Sequence, residues 1–242
     1  MQLHTRDRQD EWMDQPDLDG ALHAKALHGL SRVNRLSGAA GTIWKPIAQV
    51  SDAVAGRPIR VLDVACGGGD VAIGLKRLAD RKGIDMEIVG CDLSETAVAF
   101  ASENAQRRGA DVSFVQHDAL GGDLPTGFDV VYSSLFLHHL EAADVVRLLV
   151  AMRTCARHKV VISDLLRSQL GYFLAKWGIR LLTTSKVCHV DGPLSVRAAL
   201  TISEASELAT RAGLTPVQIT RKWPERFLLV YDAGATSGWA KS

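Results

Sequence analysis

From about residue 59 onward, apolar runs rich in Val and Ile alternate with stretches of helical periodicity, the pattern of a parallel sheet covered on both faces. Strands are expected at "IRVLDVA" (from Ile59), "MEIVGCD" (from Met86), "VSFVQHD" (from Val112), "FDVVYSS" (from Phe128) and "KVVISDL" (from Lys159). Helices are expected between them: Val71 to Lys82, Glu95 to Arg108 and Ala142 to Arg157, the second capped by Ser94 and ended by Gly109. After Asp164 the alternation breaks. The stretch from Leu165 to Leu200 is largely helical, aromatic and too long for an ordinary connection, and it reads as a lid.

The regular pattern resumes in "SEASELATRAG", where Ser203 is the expected N-cap, without a full capping box because Ser206 stands three positions later. Two final strands, "PVQITRKW" and "RFLLVYD", are separated by so short a turn at Pro224 and Glu225 that they should pair antiparallel. Upstream, Leu22, Leu27, Leu30, Val33 and Leu36 recur near helical spacing, which predicts one or two helices against the sheet or over its ligand edge. The expected organisation is one domain over residues 1–242. It comprises an N-terminal helical segment (1–55), a cofactor-binding core (59–164), a lid insertion (165–200), and a C-terminal helix and hairpin (201–232).

Composition narrows the partners. With 28 Lys plus Arg against 27 Asp plus Glu and no long basic run, the chain has no field to hold a phosphate backbone, so nucleic acid is not expected. The N-terminus is too polar for a signal peptide and no apolar run approaches the ~20 residues that span a bilayer, so no membrane span is expected and the location reads as cytoplasmic. Cys66, Cys91, Cys155 and Cys188 are scattered without close pairs, which predicts reduced, buried thiols rather than a disulfide framework or a zinc knuckle. No compact Asp/Glu/His cluster stands out, so no metal is expected. Nothing in the chain specifies an oligomer.

The candidate chemistry begins in "RVLDVACGGGD", Arg60 to Asp70. Gly67, Gly68 and Gly69 fall between a strand and a helix, so backbone N–H groups and a helix N-terminus face the carboxyl edge of the sheet, where open α/β folds bind ligands. Asp92 ends the second strand about 20 residues later, a position that suits a ribose-hydroxyl acceptor. A dinucleotide and S-adenosylmethionine fit this much equally well. Asp63 and Asp70 tilt the choice, because a pyrophosphate within 4 Å of a carboxylate costs about 1 kcal/mol in water and about 4 kcal/mol at an effective dielectric of about 20. S-adenosylmethionine instead brings an ammonium and a sulfonium, with no phosphate. Asp63 reads equally well as a support for the loop N–H groups and as a ligand contact.

"LDVACGGGD" resembles the first motif of class I S-adenosylmethionine-dependent methyltransferases, with Ala65 in place of the usual first glycine; "GCDLS" and "QHDAL" resemble the ribose and adenine motifs that follow it. The resemblance covers roughly residues 59 to 232 and implies a Rossmann-like α/β fold with a seven-stranded, mostly parallel sheet and a C-terminal antiparallel hairpin. It further implies cofactor contacts by Asp63, Ala65, Gly67 and Gly69. Asp92 would lie on the ribose, Leu93 against adenine, Asp118 on the adenine amine with Ala119 alongside, and Ser134 at the end of the fourth strand. "ALHGLSRVNRLSG" and "HVDGPLSVRAALTISEASELATRAGL" resemble the methyltransferases that accompany bacterial type III polyketide synthases and modify phenolic or quinone-like products.

A phenol with a pKa of about 10 attacks a methyl donor far better as a phenolate, so O-methylation gains from a base at the pocket. His138 and His139, just beyond the fourth strand, and His189, followed by Asp191 in the lid, are the three candidates, with one of the adjacent pair expected to face the substrate; His138 and His139 read equally well as polar groups tied to the backbone, and His189 with Asp191 reads rather as a pair that stabilises the lid. Tyr172, Phe173, Trp177 and Leu181 can roof an aromatic acceptor, with core packing as the alternative for at least half of them, and Arg167, Arg180 and Arg197 can meet an acidic group on it, although solvated surface is the commoner place for an arginine. The expected reaction is methyl transfer to a small aromatic acceptor, at oxygen before carbon. An NAD(P)-dependent oxidoreductase, a C-methyltransferase of a quinone-like substrate and a non-catalytic S-adenosylmethionine-binding protein are the alternatives.

Overall fold

The computed structural model describes residues 3–15 and 18–233, so Pro16 and Asp17 of the upstream stretch lie outside the described residues. Strands β1 (Ile59–Val64), β2 (Met86–Asp92), β3 (Ser113–Gln116), β4 (Phe128–Ser134), β5 (Ala156–Leu165), β6 (Val217–Lys222) and β7 (Arg226–Asp232) form one sheet. Their order is β3-β2-β1-β4-β5-β7-β6. β1 to β5 are parallel, β7 runs antiparallel to β5, and β6 antiparallel to β7, as the short turn requires. The chain builds outward from β1 in one direction and from β4 in the other. A crevice therefore opens beyond the carboxyl ends of these two central strands.

Helices α1 (Gly20–Leu36), α2 (Ala39–Ala48), α3 (Asp70–Lys82), α4 (Glu95–Arg107) and α5 (Ala142–Cys155) accompany the parallel strands. α6 (Gln169–Phe173), a π-helical turn (Leu174–Gly178), α7 (Ile179–Leu182) and α8 (Lys186–Ala198) form the insertion after β5, and α9 (Ile202–Arg211) precedes the hairpin. On one face of the sheet Ile43, Ile47 and Leu75 pack against Val61 and Val130; on the other Leu148, Met152 and Leu208 pack against Leu62 and Val131. Neighbouring residues of β1 and β4 thus enter opposite cores, which is why these strands read as continuous apolar runs rather than alternating ones.

Three boundaries differ from the sequence pattern. β5 starts at Ala156 and α5 stops at Cys155, because Phe128 of β4 already pairs with Ala156. β3 is confined to Ser113–Gln116. The N-cap of α9 is Thr201, not Ser203, and the capping box is complete. Glu204 N donates to Thr201 Oγ1 (3.2 Å) and Thr201 N to Glu204 Oε2 (2.7 Å), while Arg167 Nη2 donates to Glu204 Oε1 (2.6 Å). All four cysteines are free and buried, and burial pushes the Cys91 thiol up to about 12. No helix among the described residues is long and apolar enough to cross a membrane.

Candidate active site

β1 runs into a loop whose backbone is left-handed at Ala65 (φ 57°), Gly67 (φ 51°) and Gly69 (φ 71°). At Gly69 a Cβ would stand 2.6 Å from the Phe114 ring and 2.9 Å from Ala101, so only glycine lets α3 begin there. At Gly67 nothing lies within 4 Å of the Cβ position, and the space opens into a cavity. Ala65 holds its left-handed conformation against the steric cost of its methyl group, about 1–2 kcal/mol. Ala65→Gly is expected to raise unfolding stability by about 1 kcal/mol, seen as a higher urea midpoint at unchanged slope. A lower midpoint would show that the strain is not there.

The loop is shaped from β2: Asp92 Oδ2 accepts from Gly67 N (2.8 Å) and its Oδ1 from Ser94 N (3.0 Å), while Asn104 Nδ2 donates to Gly68 O (3.2 Å). Asp63 stands behind the wall. It is 2% exposed and accepts from Tyr132 Oη at 2.7 Å. Burial pushes its carboxyl well above the ordinary value against the Tyr132 hydrogen bond, and Asp70 and Asp92 add to the rise. The folded protein therefore holds a proton that the unfolded chain releases. The stability this contributes is fully present below the ordinary carboxylate pKa and is lost as pH rises through the raised value. Asp63→Asn should accordingly raise the melting temperature more at pH 8 than at pH 4, and an equal offset at both would contradict the buried acid.

Ala65, Gly67, Asp92, Leu93, Asp118, Ala119 and Ser134 all line one cavity of about 1010 Å³; Asp63 and Gly69 do not. Among the described residues, four buried polar atoms in its wall have no hydrogen-bond partner: Asp70 Oδ2, His117 Nε2, Ser134 Oγ and Arg226 Nη1. Buried polar atoms ordinarily find partners, so these four are open to a ligand or to ordered water. Arg226 was not foreseen in the sequence. It is 3% exposed, and its Nη2 donates to Asn34 Oδ1 (3.0 Å) and Ser37 Oγ (2.9 Å).

The opposite end of the cavity is built from β4 and β5. Beyond β4, a 3-10 turn (Leu137–His139) carries both histidines, and both line the cavity, with ring centroids 4.3 Å apart. The expectation that one would turn away is corrected: the cavity wraps around the turn. Asp164, near the end of β5, accepts from Phe136 N (3.0 Å), Leu137 N (2.7 Å) and His138 Nδ1 (2.7 Å). Burial alone would raise Asp164, but His138 and then the backbone donors outweigh it and hold the carboxyl below its ordinary value. An ionised acceptor on Nδ1 places the ring proton there and leaves Nε2 as the basic nitrogen.

His189 lies outside the cavity wall, with Nε2 on Thr183 O at 2.7 Å, and Asp191 does not orient it; the Asp191 carboxylate accepts from Trp12 N (2.9 Å) and Met13 N (3.0 Å). The predicted roof is also displaced. Phe173 (59% exposed), Trp177 (54%) and Leu181 (87%) face outward, and Tyr172 is absent from the wall; the inner face is Leu174, Ala175, Gly178, Ile179 and Leu182. None of the three arginines lines the cavity: Arg167 is tied to Glu204 and Ala199 O, Arg197 to Asp7, and Arg180 lies over the Trp177 ring.

A strap before α1 closes this end. Arg6 donates to the carbonyls of Leu137 (3.2 Å), His138 (3.2 Å), Leu140 (2.7 Å) and Ala198 (2.6 Å), and Glu11, buried, joins the cavity wall beside the two histidines. Glu11, His138 and His139 each offer one ligand atom within 4.8 Å of the others, so the expectation of no compact cluster does not hold.

Parts of the chain are similar to known methyltransferases. A family model described as a methyltransferase domain matches residues 61–159. A demethylmenaquinone methyltransferase of Thermus thermophilus is 41% identical over 75 residues, 31% of this chain and 32% of the relative. A ribosomal protein L11 methyltransferase of Geobacter sulfurreducens is 32% identical over 126 residues, 51% of this chain and 38% of the relative. The chain thus spans about a third of the length of the curated relatives it matches. Among solved structures, human N-acetylserotonin methyltransferase in complex with SAM superposes with a TM-score of 0.64 at 15% identity, over 88% of this chain and 56% of that one. A SAM-dependent methyltransferase from Aquifex aeolicus gives 0.58 at 16% identity, over 90% and 100%. Residues 61–159 thus match a methyltransferase domain, and the glycine loop, the acids ending β2 and following β3, and the closing antiparallel hairpin stand in a chain that shares the fold of S-adenosylmethionine-dependent methyltransferases.

Proposed function

We propose that the chain transfers a methyl group from S-adenosylmethionine to an oxygen of a small aromatic acceptor, phenolic or quinone-like. The observation that carries this reading is that His138, held from behind by Asp164, and the glycine loop line one cavity. S-adenosylmethionine supplies a methyl group already activated on a sulfonium, so the chain's task is to align the two partners and to activate the acceptor. Asp92 would hold the ribose hydroxyls, Leu93 and Ala119 would flank adenine, and Asp118 would accept from its amine. The unpartnered Asp70 Oδ2 and Arg226 Nη1 suit the ammonium and carboxylate of the amino-acid end. Three carboxylates in one wall, Asp70, Asp92 and Asp118, favour this cation over a pyrophosphate.

Leu174, Ile179 and Leu182 give the acceptor an apolar roof, and His138 Nε2 is the basic atom that acts on its hydroxyl. The name of the Thermus thermophilus relative supports a quinone-like acceptor class. We place the activity in the cytoplasm and in secondary metabolism beside a type III polyketide synthase, with residues 1–242 acting as one unit. Calorimetric titration with S-adenosylhomocysteine and with NADH tests the donor. Micromolar binding of the first alone is expected, and binding of NADH alone overturns the reading. Single-turnover transfer of labelled methyl to a panel of phenols and hydroquinones then tests the acceptor; label recovered on carbon overturns the oxygen assignment.

A further inference from the structure

We propose that Glu11, His138 and His139 form a binding site for a first-row divalent transition-metal ion, and that an acceptor hydroxyl completes its coordination. One ligand atom from each residue lies within 4.8 Å of the others, and all three residues face the large cavity. Two imidazoles and a carboxylate suit Zn²⁺, Co²⁺ or Fe²⁺ rather than Mg²⁺ or Ca²⁺, which favour oxygen ligands. Three protein ligands leave positions open, as in sites that bind a reactant rather than brace a fold.

The surroundings are those that hold ligands in place. Asp164 on His138 Nδ1 (2.7 Å) fixes the tautomer and frees Nε2, the carboxylate–histidine arrangement found behind metal-bound imidazoles. Arg6 clamps the turn that bears both histidines, through the carbonyls of Leu137, His138 and Leu140. Glu11 is fixed from two sides: Ser195 Oγ donates to its Oε1 at 2.6 Å, and Asp191 takes the N–H groups of the next two residues. A carboxylate has lone pairs beyond the one that Ser195 uses.

The ion's placement deepens the methyl-transfer reading, on which only the identity of the last ligand rests: His138 Nε2 acts on the hydroxyl through the cation. A cation held by Glu11, His138 and His139 would lower the pKa of an acceptor hydroxyl that joined them, so that its proton could pass to solvent water.

The test is titration of chelator-treated, tag-free protein with Co²⁺, followed by its visible absorption. One equivalent is expected to bind saturably, with at least tenfold weaker binding in Glu11→Gln and His139→Asn. His139→Cys keeps the test independent of any loss of folding, because it should add a thiolate-to-cobalt charge-transfer band that the parent lacks. Absence of saturable binding, variants that bind like the parent, or no new band would each overturn the site. S-adenosylhomocysteine affinity measured on the same samples separates the two readings: if it is retained while Co²⁺ fails, the metal site alone falls, and if it is lost while Co²⁺ binds, the donor assignment falls.

Discussion

Replacing Asp92 by Ala is expected to weaken S-adenosylhomocysteine binding by roughly 100-fold or more. The carboxylate has two tasks at once. It accepts from Gly67 N at 2.8 Å and Ser94 N at 3.0 Å, so it sets the shape of the loop, and it lies in the cavity wall where the ribose would come. Hydrogen bonds to a charged acceptor contribute about 1.5–3 kcal/mol each, so losing the loop's anchor together with a ribose contact removes about 3 kcal/mol or more, which is the 100-fold loss. Calorimetry reads it directly. Asp92→Asn serves as the graded control: its amide offers one acceptor atom for two N–H donors and should fall between parent and Ala. If the Ala variant binds within about fivefold of the parent, the cavity wall at Asp92 does not hold the ribose.

The sheet was legible in the sequence because central strands buried on both faces must be apolar at every position, as Val61 and Leu62 show by entering different cores. The closing hairpin was legible because the turn is too short for any parallel crossover. What escaped was tertiary. The roof was read from the largest side chains, Phe173, Trp177 and Leu181, whereas the side of the lid that meets the cavity is set by Leu174, Gly178, Ile179 and Leu182. Glu11 escaped because it lies in a polar stretch with no periodicity, and only the strap pinned by Arg6 brings it to the histidines. Asp164 left a signal that went unused. β4 and β5 pair in parallel with Ser134 opposite Ser163, so the turn just past Ser134 and the residue after Ser163 must meet at the carboxyl edge. His189 was misread for the converse reason: a carboxylate two positions away in sequence is not thereby its partner, and Asp191 serves the strap instead.

Asp164→Asn should lower methyl-transfer turnover by roughly 100- to 1000-fold while leaving S-adenosylhomocysteine affinity within about threefold. The substitution preserves size but changes what faces His138. Asp164 offers its ring only an acceptor, so Nδ1 carries the proton and Nε2 the lone pair. Leu137 N and Phe136 N both donate to Oδ2, which fixes the oxygen of an Asn on their side and turns its amide nitrogen, a donor, toward the ring. His138 would then accept at Nδ1 and carry its proton on Nε2. A protonated Nε2 can neither take a proton from a hydroxyl nor ligate a cation, so the loss follows whether His138 acts directly or through an ion. Co²⁺ affinity should fall with turnover, by about 10- to 100-fold. His189→Gln, whose ring is spent on Thr183 O outside the cavity wall, should keep near-normal turnover. Single-turnover rates on the acceptor found active, with thermal melts to confirm folding, decide the matter. An Asn variant as active as its parent would remove His138 from the chemistry and leave His139 as the group to test.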